Sequence, residues 1–261
     1  MRVMAADGCG AGESFADVFL VAGPAIAAIT SISPADACAL AAHLSLRYAV
    51  QCWDDQEAGK AIFWKPAIAV QGLYRTEFHD RSGRAALEPH GLLRVTFLWD
   101  GRPLDVLCAH LSVARDQADW EMVQIGRELN AAGRTLLTVG PAGGSAPAWP
   151  GFVDAWSAAR WRWIAYPSSF DIGDAARASF GVPGTSTATA LQNPADSMRG
   201  SPLRLYCSDD FAVLGATYRP RIGSRDPNGP LIADLAPEVN GGPIDGADAS
   251  ARPASPREAV G

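Results

Sequence analysis

Short apolar runs, separated by residues that favour turns, dominate the pattern of this chain and predict a domain rich in β-strands. Runs with the length of a buried strand lie at residues 2–6, 16–21, 60–68, 93–99, 103–109, 135–139, 203–207, 212–216 and 231–235. Asp100 and Gly101 stand between two of these runs, and this dipeptide favours a two-residue hairpin turn. We therefore expect a β-hairpin centred on these two residues.

Helix signals lie between the predicted strands. Ser33 is a favourable N-cap residue and Pro34 fits the first helical position, so a helix is predicted from this point to about residue 46. Residues 112–132 place apolar side chains at helical spacing, and residues 152–158 are interpreted as the start of a further helix. Strands and helices together predict the α/β class.

The length and composition fit one large domain followed by a tail. The chain has 261 residues, and an apolar fraction of 48% is enough for a substantial core. From Pro237 onward it is rich in Pro, Gly and Ala, so burial cannot offset the entropy lost by ordering it. We expect a folded domain at residues 1–236 and a disordered tail at 237–261.

Composition also bears on compartment and partners. No stretch has the ~18 consecutive apolar residues that span a bilayer, and the first residues lack the pattern of a secretory signal. The five cysteines are scattered without a CxxC pair, which favours free thiols in a reducing cytoplasm. A net charge of −6 gives no general attraction to nucleic acid. We expect a cytoplasmic protein with neither nucleic-acid nor membrane partners.

Eight segments, in order along the chain, carry a resemblance to a known superfamily. RVMAADGCG is similar to an opening RVMTWNxxG, ADVFLVAGP to PDVVALQEV, GKAIFWKPAI to GNAILSRYPI, and TLLTVGPAGG to ILLGDFN. GLLRVTFLWDGRPLDVLCAHLS resembles a hairpin ending in NTHL, and GFVDAW resembles a segment that frequently follows the GDFN motif. ALQNPADSMRGSPLRLYCS resembles the pattern DLRNPxSxLxERIDYVLV, and DPNGPLIADL resembles the closing pattern SDHxPVVADL. The chain thus resembles the endonuclease/exonuclease/phosphatase superfamily, Mg²⁺-dependent phosphodiesterases with a DNase I-like fold.

This resemblance implies a specific architecture. The fold would be a four-layer α/β sandwich, in which two mixed β-sheets pack face to face and helices flank them on the outside. The loops at the strand ends would gather into one cleft at an edge of the sandwich. That cleft is where the site residues of the superfamily would meet.

The same resemblance implies that the metal chemistry of the superfamily is missing. Mg²⁺ requires oxygen ligands, usually including carboxylates. The metal-binding Glu of the QEV segment falls on Gly23, and the other acidic or polar site residues fall on Pro141, Gly143, Leu203 (or Leu205 in a register shifted by two), Pro227 and Asn228. Losing one member of a cooperative catalytic unit can cost ~10⁴-fold or more in rate. We therefore predict no metal site and no metal cofactor.

Two candidate catalytic residues remain. His110, from the THL motif, is predicted at a strand end facing the cleft, as a general acid/base or as a phosphate or acyl contact. The alternative is an inherited packing residue. Asp7 stands where the superfamily has an Asn, and it is interpreted either as a partner of His110 or a metal, or as a turn residue before Gly8.

Other features have a functional and a structural interpretation. Asp209, Asp210 and Asp226 would form a relocated acidic cluster, although loop aspartates are typical turn residues. Cys9 and Cys108 lack the basic sequence neighbours that activate a thiol. An aromatic and basic run would stack a flat ligand or, more commonly, close a core or interface: Trp156, Arg160, Trp161, Arg162, Trp163 and Tyr166.

Three functions follow from these observations. The first is a pseudoenzyme without phosphodiesterase activity, whose cleft binds a small molecule or a protein. The second is a metal-independent enzyme, recruited to biosynthetic chemistry, that uses His110 as acid/base. The third is a Mg²⁺-dependent hydrolase with relocated ligands, which would need two carboxylates beside His110.

Overall fold

The fold was obtained as a computed structural model, which describes residues 1–8, 14–52, 59–78, 91–112, 115–130, 133–140, 149–164, 203–218 and 230–237. The strands are β1 (Arg2–Asp7), β2 (Ile26–Ile32), β3 (Arg47–Gln51), β4 (Gly59–Trp64), β5 (Ala69–Glu77), β6 (Gly91–Trp99), β7 (Arg102–His110), β8 (Thr135–Val139), β9 (Phe152–Asp154), β10 (Trp161–Ile164), β11 (Arg204–Ser208), β12 (Phe211–Tyr218) and β13 (Leu231–Pro237). The helices are α1 (Ser14–Ala22), α2 (Pro34–Leu44), α3 (Arg115–Asn130) and α4 (Ala155–Ala158).

The strands form two mixed sheets. Sheet A has the order β10-β12-β13-β1-β2-β4-β3, and sheet B has the order β5-β6-β7-β8-β11-β9. In sheet A, β1 runs parallel to β2 and antiparallel to β13; in sheet B, β7 runs parallel to β8 and antiparallel to β6. The main apolar cluster takes side chains from both sheets, so the sheets pack face to face.

Helices cover the outer faces of the two sheets. Phe15 and Phe19 of α1 and Ala37 of α2 pack with apolar side chains of sheet A in a second cluster. Ile125 and Leu129 of α3 pack with apolar side chains of sheet B in a third cluster. The order helix, sheet, sheet, helix confirms the predicted four-layer α/β sandwich.

The predicted start of α2 is confirmed in detail. The Oγ atom of Ser33 accepts a hydrogen bond from the backbone N–H of Asp36 at 3.1 Å, and Pro34 occupies the first helical position. The helix ends at Leu44, two residues before the predicted end, because Ser45 adopts a left-handed conformation with φ of 53°. This conformation closes the helix with hydrogen bonds to the carbonyls of its last turn.

The predicted hairpin is also confirmed. β6 and β7 pair in antiparallel register up to Trp99 and Arg102, so Asp100 and Gly101 alone form the turn. Their φ angles are 50° and 71°, as a two-residue turn with both central residues left-handed requires. Asp tolerates this conformation and glycine adopts it freely, which explains why the dipeptide was informative.

The strand predicted at 16–21 is wrong, because this segment lies within helix α1. Phe15, Phe19 and Ala22 follow one another at helical spacing and are buried against sheet A, whereas Leu20 is 64% exposed. A short, continuous apolar run hides this periodicity. The second strand of the fold is instead β2, which begins only at Ile26.

Smaller differences concern element boundaries. The strand predicted at 60–68 ends at Trp64, and the helix predicted at 152–158 is preceded by the short strand β9. Apart from Pro237, the last residue of β13, the predicted tail lies outside the described residues. Among the helices that the structure describes, none combines the length and the apolar character needed to cross a membrane.

Candidate functional site

The inner faces of the sheets change from apolar to polar at one end of the sandwich. Alternate residues of a strand point to the same face, and the apolar cluster between the sheets identifies the inward-facing positions. Continuing each alternation gives the inward-facing polar positions of sheet A: Asp7 after Val3 and Ala5, Thr30 after Ile26 and Ala28, Lys60 before Ile62 and Trp64, and Gln51 after Ala49.

These four polar residues form a continuous row across sheet A, which we call the polar row. Its members pair in sequence: Asp7 with Thr30, Thr30 with Lys60, and Lys60 with Gln51. Their exposed fractions are 2%, 0%, 1% and 9% in the order of the row from Asp7. Four polar side chains are thus withdrawn from water at the end of an apolar core, an arrangement that costs free energy unless it is compensated.

Sheet B contributes His110 at the same end. His110 follows Cys108 on the inward-facing side of β7, and its Nδ1 atom lies 3.3 Å from the Oγ atom of Ser31. Ser31 has a φ of 55° and stands at an irregularity in the pairing of β2 with β4. The half-buried imidazole therefore joins the two sheets at the edge of the polar row.

Asp7 is a strand residue with a buried side chain rather than a turn residue. It is the last residue of β1, and its Oδ1 atom accepts a hydrogen bond from Oγ1 of Thr30 at 3.5 Å. The backbone N–H of Gly8 donates to the carbonyl of Thr30, so the chain continues alongside β2 beyond Asp7. The structure thus places both predicted catalytic residues at the same end, Asp7 on sheet A and His110 on sheet B.

The position assigned to the superfamily's metal-binding Glu requires a correction. Gly23 does not end a strand: it follows helix α1 and has a φ of 59°. The strand that pairs in parallel with β1 is β2, and Thr30 and Ser31 lie at its carboxyl end. Both residues at the end of the strand beside β1 carry hydroxyl groups, and neither supplies a carboxylate.

Other positions of the resemblance are only partly described. Leu203 and Leu205 are buried in the apolar cluster between the sheets, so neither register places a carboxylate there. Pro141, Gly143, Pro227 and Asn228 lie outside the described residues.

Gly140 closes the sheet B side of the polar end. Its backbone N–H donates to the carbonyl of Ala109 at 2.8 Å, and an added Cβ atom would lie 2.8 Å from Oγ1 of Thr30. Glycine therefore permits the end of β8 to approach the polar row closely.

The relocated acidic cluster is not supported by the topology. Asp209 and Asp210 form the turn between β11 and β12. In the pairing of β11 with β8, Arg204 lies opposite Val139 at the polar end, whereas Cys207 lies opposite Leu136 toward the other end. The two aspartates therefore lie at the end of the sandwich remote from His110, and Asp226 lies outside the described residues.

The aromatic run and the cysteines have structural explanations where they are described. Trp156 is 5% exposed and belongs to the apolar cluster between the sheets, whereas Arg160 is exposed. The remaining side chains of the run, and Cys9, lie outside the described part of the chain. Burial raises the pKa of the Cys108 thiol to about 12, so this group stays protonated at neutral pH and is no thiolate nucleophile.

Lys60 and Glu121 are the charged groups at the polar end that sequence reasoning missed. Burial lowers the pKa of Lys60 to about 8, and the negative charge of the Glu121 carboxylate opposes this decrease. Glu121 is fully buried on α3, where it accepts hydrogen bonds from the backbone N–H of Ser112 at 2.8 Å and from Gln117 at 2.9 Å. A fixed carboxylate thus partly compensates the buried ammonium group.

A signal for Lys60 was present in the sequence. Lys60 and Lys65 are the two lysines of the chain, and Lys60 stands between Gly59 and an apolar run, at the position of the Asn in the motif GNAILSRYPI. A long cationic side chain within a buried strand is unusual. The Glu121 carboxylate had no comparable signal, because its role depends on how α3 packs against the end of β7.

Taken over the described residues, the donor set at the polar end does not fit Mg²⁺. The superfamily fold implies such an ion, and it would need several oxygen ligands in octahedral geometry. The polar row offers the carboxylate of Asp7 and the hydroxyl of Thr30, but it also contains the Lys60 amine next to them. Among the residues that the structure describes, no group of three or more His, Cys, Asp or Glu side chains is arranged to hold a metal.

Comparison with known proteins identifies the fold. The sequence matches no family model and none of the curated proteins. Solved structures, however, match over almost the whole chain. An endonuclease/exonuclease/phosphatase from Bacteroides vulgatus is 12% identical, with a TM-score of 0.62 over 91% of this chain and 98% of the other.

Two further matches show the range of proteins with this fold. A mannosyl-6-phosphatase from Bacteroides thetaiotaomicron is 12% identical, with a TM-score of 0.63 over 90% of this chain and 99% of the other. TDP2 from D. rerio, solved with a single-strand DNA product, is 10% identical, with a TM-score of 0.63 over 90% and 98%. The DNase I-like fold is therefore confirmed, and function has to be argued from the site.

Proposed function

We propose that this chain is a degenerate protein of the endonuclease/exonuclease/phosphatase type, in which metal-dependent phosphodiester hydrolysis has been replaced by ligand binding in the cleft. The observation that carries this proposal is the position of Lys60. Its amine occupies the polar row beside Thr30, at the end of the sandwich where the resemblance places the metal.

The ammonium group of Lys60 would repel a divalent ion bound at the polar end. For a dication about 5 Å from an ammonium group, in an effective dielectric constant of about 20, the repulsion is about 7 kcal/mol. This exceeds the ~4 kcal/mol by which a protein binds an ion with a dissociation constant of about 1 mM. The buried lysine therefore disfavours metal binding at the polar end, besides replacing a neutral residue of the motif.

The cleft suits a small organic ligand better than a phosphodiester. The polar row adjoins the apolar core between the sheets, and an apolar lining with a few polar groups is typical of small-molecule sites. Two carboxylates, Asp7 and Glu121, accompany the amine. They would repel a phosphate group more than a neutral molecule with hydrogen-bonding groups.

A chromogenic phosphodiester assay tests the loss of hydrolysis. Purified protein is assayed with bis(p-nitrophenyl) phosphate in the presence of Mg²⁺ or Mn²⁺, with and without EDTA. We expect turnover no higher than that of a heat-inactivated sample. EDTA-sensitive turnover that co-purifies with the protein would refute the proposal.

A metal-independent enzyme is the second candidate, and the contact between Ser31 and His110 favours it. An imidazole held at the edge of a buried polar row is suited to proton transfer near neutral pH. If the protein is such an enzyme, His110→Ala abolishes its reaction, whereas a binding protein keeps its ligand affinity within a few-fold. Ser31→Ala, which removes only the hydroxyl contact, is the matched variant.

A further inference from the structure

Ser31 is the extra residue of a β-bulge in sheet A. Thr30 of β2 lies opposite Lys60 of β4, and Ile32 lies opposite Gly59, the neighbour of Lys60. Three residues of β2 therefore face two residues of β4, with Ser31 as the additional one. Bulges of this kind change the direction in which a side chain points.

The bulge turns the Ser31 side chain toward the space between the sheets. Ile29 and Ile32 both pack in the apolar cluster outside sheet A. In a regular strand, residues three apart point to opposite faces, so the extra residue has been inserted between these two. Thr30 and Ser31 therefore both lie on the inner side, where the Ser31 hydroxyl contacts His110 of the opposite sheet.

The backbone conformation of Ser31 is unfavourable for a residue with a Cβ atom. Its φ of 55° is one that glycine adopts freely. Among the described residues, Ser45 and Asp100 are the other non-glycine residues with positive φ, and they end helix α2 and form the hairpin turn. Ser31 does neither, and glycine would fill the bulge with less strain. Strain retained at a side chain that contacts a histidine indicates a function for that side chain.

We propose that Ser31 is a nucleophile, that His110 activates it as a general base, and that this pair cleaves a carboxylic ester. A nucleophile and its base lie about 2.6–3.2 Å apart, and the distance is often longer before substrate binds. The Oγ atom of Ser31 lies 3.3 Å from Nδ1 of His110. Both residues are half-buried, so within the described structure each keeps part of its surface open to solvent.

This inference goes beyond ligand binding. It rests on the second candidate under the proposed function, the metal-independent enzyme, and gives that enzyme a reaction and a substrate class. The nucleophile it adds is Ser31, since His110 alone supplies only proton transfer.

The reaction consumes one ester and one water molecule and needs no further reactant. The hydroxyl of Ser31 donates to Nδ1 of His110, which accepts when the imidazole proton is on Nε2. As Oγ attacks the carbonyl carbon, Nδ1 takes its proton and the electron pair of the C=O bond moves to oxygen. The intermediate expels the alkoxide, which takes the proton from His110 and leaves an acyl group on Ser31. Water, deprotonated by His110, then releases the acid and restores both residues.

A fluorophosphonate probe tests the nucleophile directly. An activated serine oxygen attacks the phosphorus atom of this probe, and fluoride leaves. The full chain is incubated with fluorophosphonate–biotin, the labelling rate is followed on blots, and peptide mass spectrometry locates the adduct. We expect the wild type to carry the adduct at Ser31 and a heat-denatured sample to carry none there.

Three variants separate reactivity from folding. Ser31→Gly should abolish the adduct and keep the fold, because glycine suits the φ at this position. Ser45→Gly is the matched control, since Ser45 has a φ of 53° and is exposed at the end of α2, and it should be labelled at the wild-type rate. His110→Gln should slow labelling by about 100-fold or more. Circular dichroism verifies that each variant folds.

Turnover of p-nitrophenyl butyrate tests the substrate class. The wild type should release p-nitrophenolate faster than Ser31→Gly, which keeps every histidine, and a brief incubation should leave a butyryl group on Ser31. An unmodified Ser31, labelling that His110→Gln leaves unchanged, or labelling without ester cleavage would overturn the inference. None of these results would affect the proposed loss of phosphodiester hydrolysis, because bis(p-nitrophenyl) phosphate measures that loss separately.

Discussion

Replacing the buried lysine by a methionine of similar size should change how stability depends on pH. In the wild type, burial lowers the pKa of Lys60 from 10.5 to about 8, so the unfolded chain holds this proton more tightly than the folded one. The cost of the buried ammonium is fully present below about pH 8. It is relieved as the pH rises from there toward 10.5.

The magnitude follows from the two pKa values. At about 1.4 kcal/mol for each pH unit between them, the buried ammonium lowers the free energy of unfolding by about 3 kcal/mol at pH 7. By pH 9.5 about 2 kcal/mol of this is recovered. Lys60→Met removes the titrating group. Between pH 7 and pH 9.5, the free energy of unfolding of the wild type should therefore rise by about 2 kcal/mol relative to that of this variant.

Urea titrations at several pH values measure this difference. Taking the difference between two proteins cancels the contributions of thiols and tyrosines that titrate in the same range. Lys65→Met is the matched control and should follow the wild type in parallel, because an exposed ammonium stays hydrated in both states. Parallel curves for the wild type and Lys60→Met would refute the reasoning, since the amine would then not be buried as an ammonium.

Three further substitutions test the fold around the site, each by urea unfolding. Asp105→Ala should lower the free energy of unfolding by about 3 kcal/mol. Arg94 donates a hydrogen bond to this buried carboxylate at 2.6 Å, and the substitution leaves Arg94 without that partner. A loss below ~1 kcal/mol would contradict this prediction. Gly91→Ala should cost about 1–3 kcal/mol, because the new Cβ atom would clash with the carbonyl of Thr76, and unchanged stability would count against the pairing of β5 with β6. Ser33→Ala should cost about 1 kcal/mol through loss of the N-cap, and Ser33→Thr, which keeps a hydroxyl, should lose less.

Local chemistry made part of the fold predictable. The N-cap at Ser33 and the turn at Asp100 and Gly101 depend on a few adjacent residues, and both are found as expected. Helix α1 was misassigned because its apolar residues are continuous in sequence. Which of them are buried, such as Phe15 and Phe19, is decided by the sheet on which the helix lies.

The site was only half predictable for a related reason. Asp7 and His110 were predicted as candidates because they stand in motifs at strand ends, and the structure places them at the same end of the sandwich. The polar row depends on the pairing of four strands, and a register shift of one residue would turn Lys60 to the opposite face. Because α1 was misassigned as a strand, Gly23 was expected at a strand end, whereas it follows a helix.

We propose that a buried lysine takes the place of a metal ion at the polar end. A buried amine supplies positive charge at the polar end, and Glu121 partly compensates it from α3. Under this proposal, the site binds an organic ligand without a metal. The pH dependence of stability described above is a consequence of the buried amine.

The most direct test observes the two lysines while Mn²⁺ is added. Protein labelled with ¹³C-lysine gives separate ε-methylene signals for Lys60 and Lys65, which a Lys65→Arg sample assigns. Mn²⁺ broadens signals from nuclei close to it. We predict that millimolar Mn²⁺ broadens the Lys60 signal no more than that of Lys65. Selective broadening of Lys60 that EDTA reverses would place a metal ion beside the amine and contradict the account.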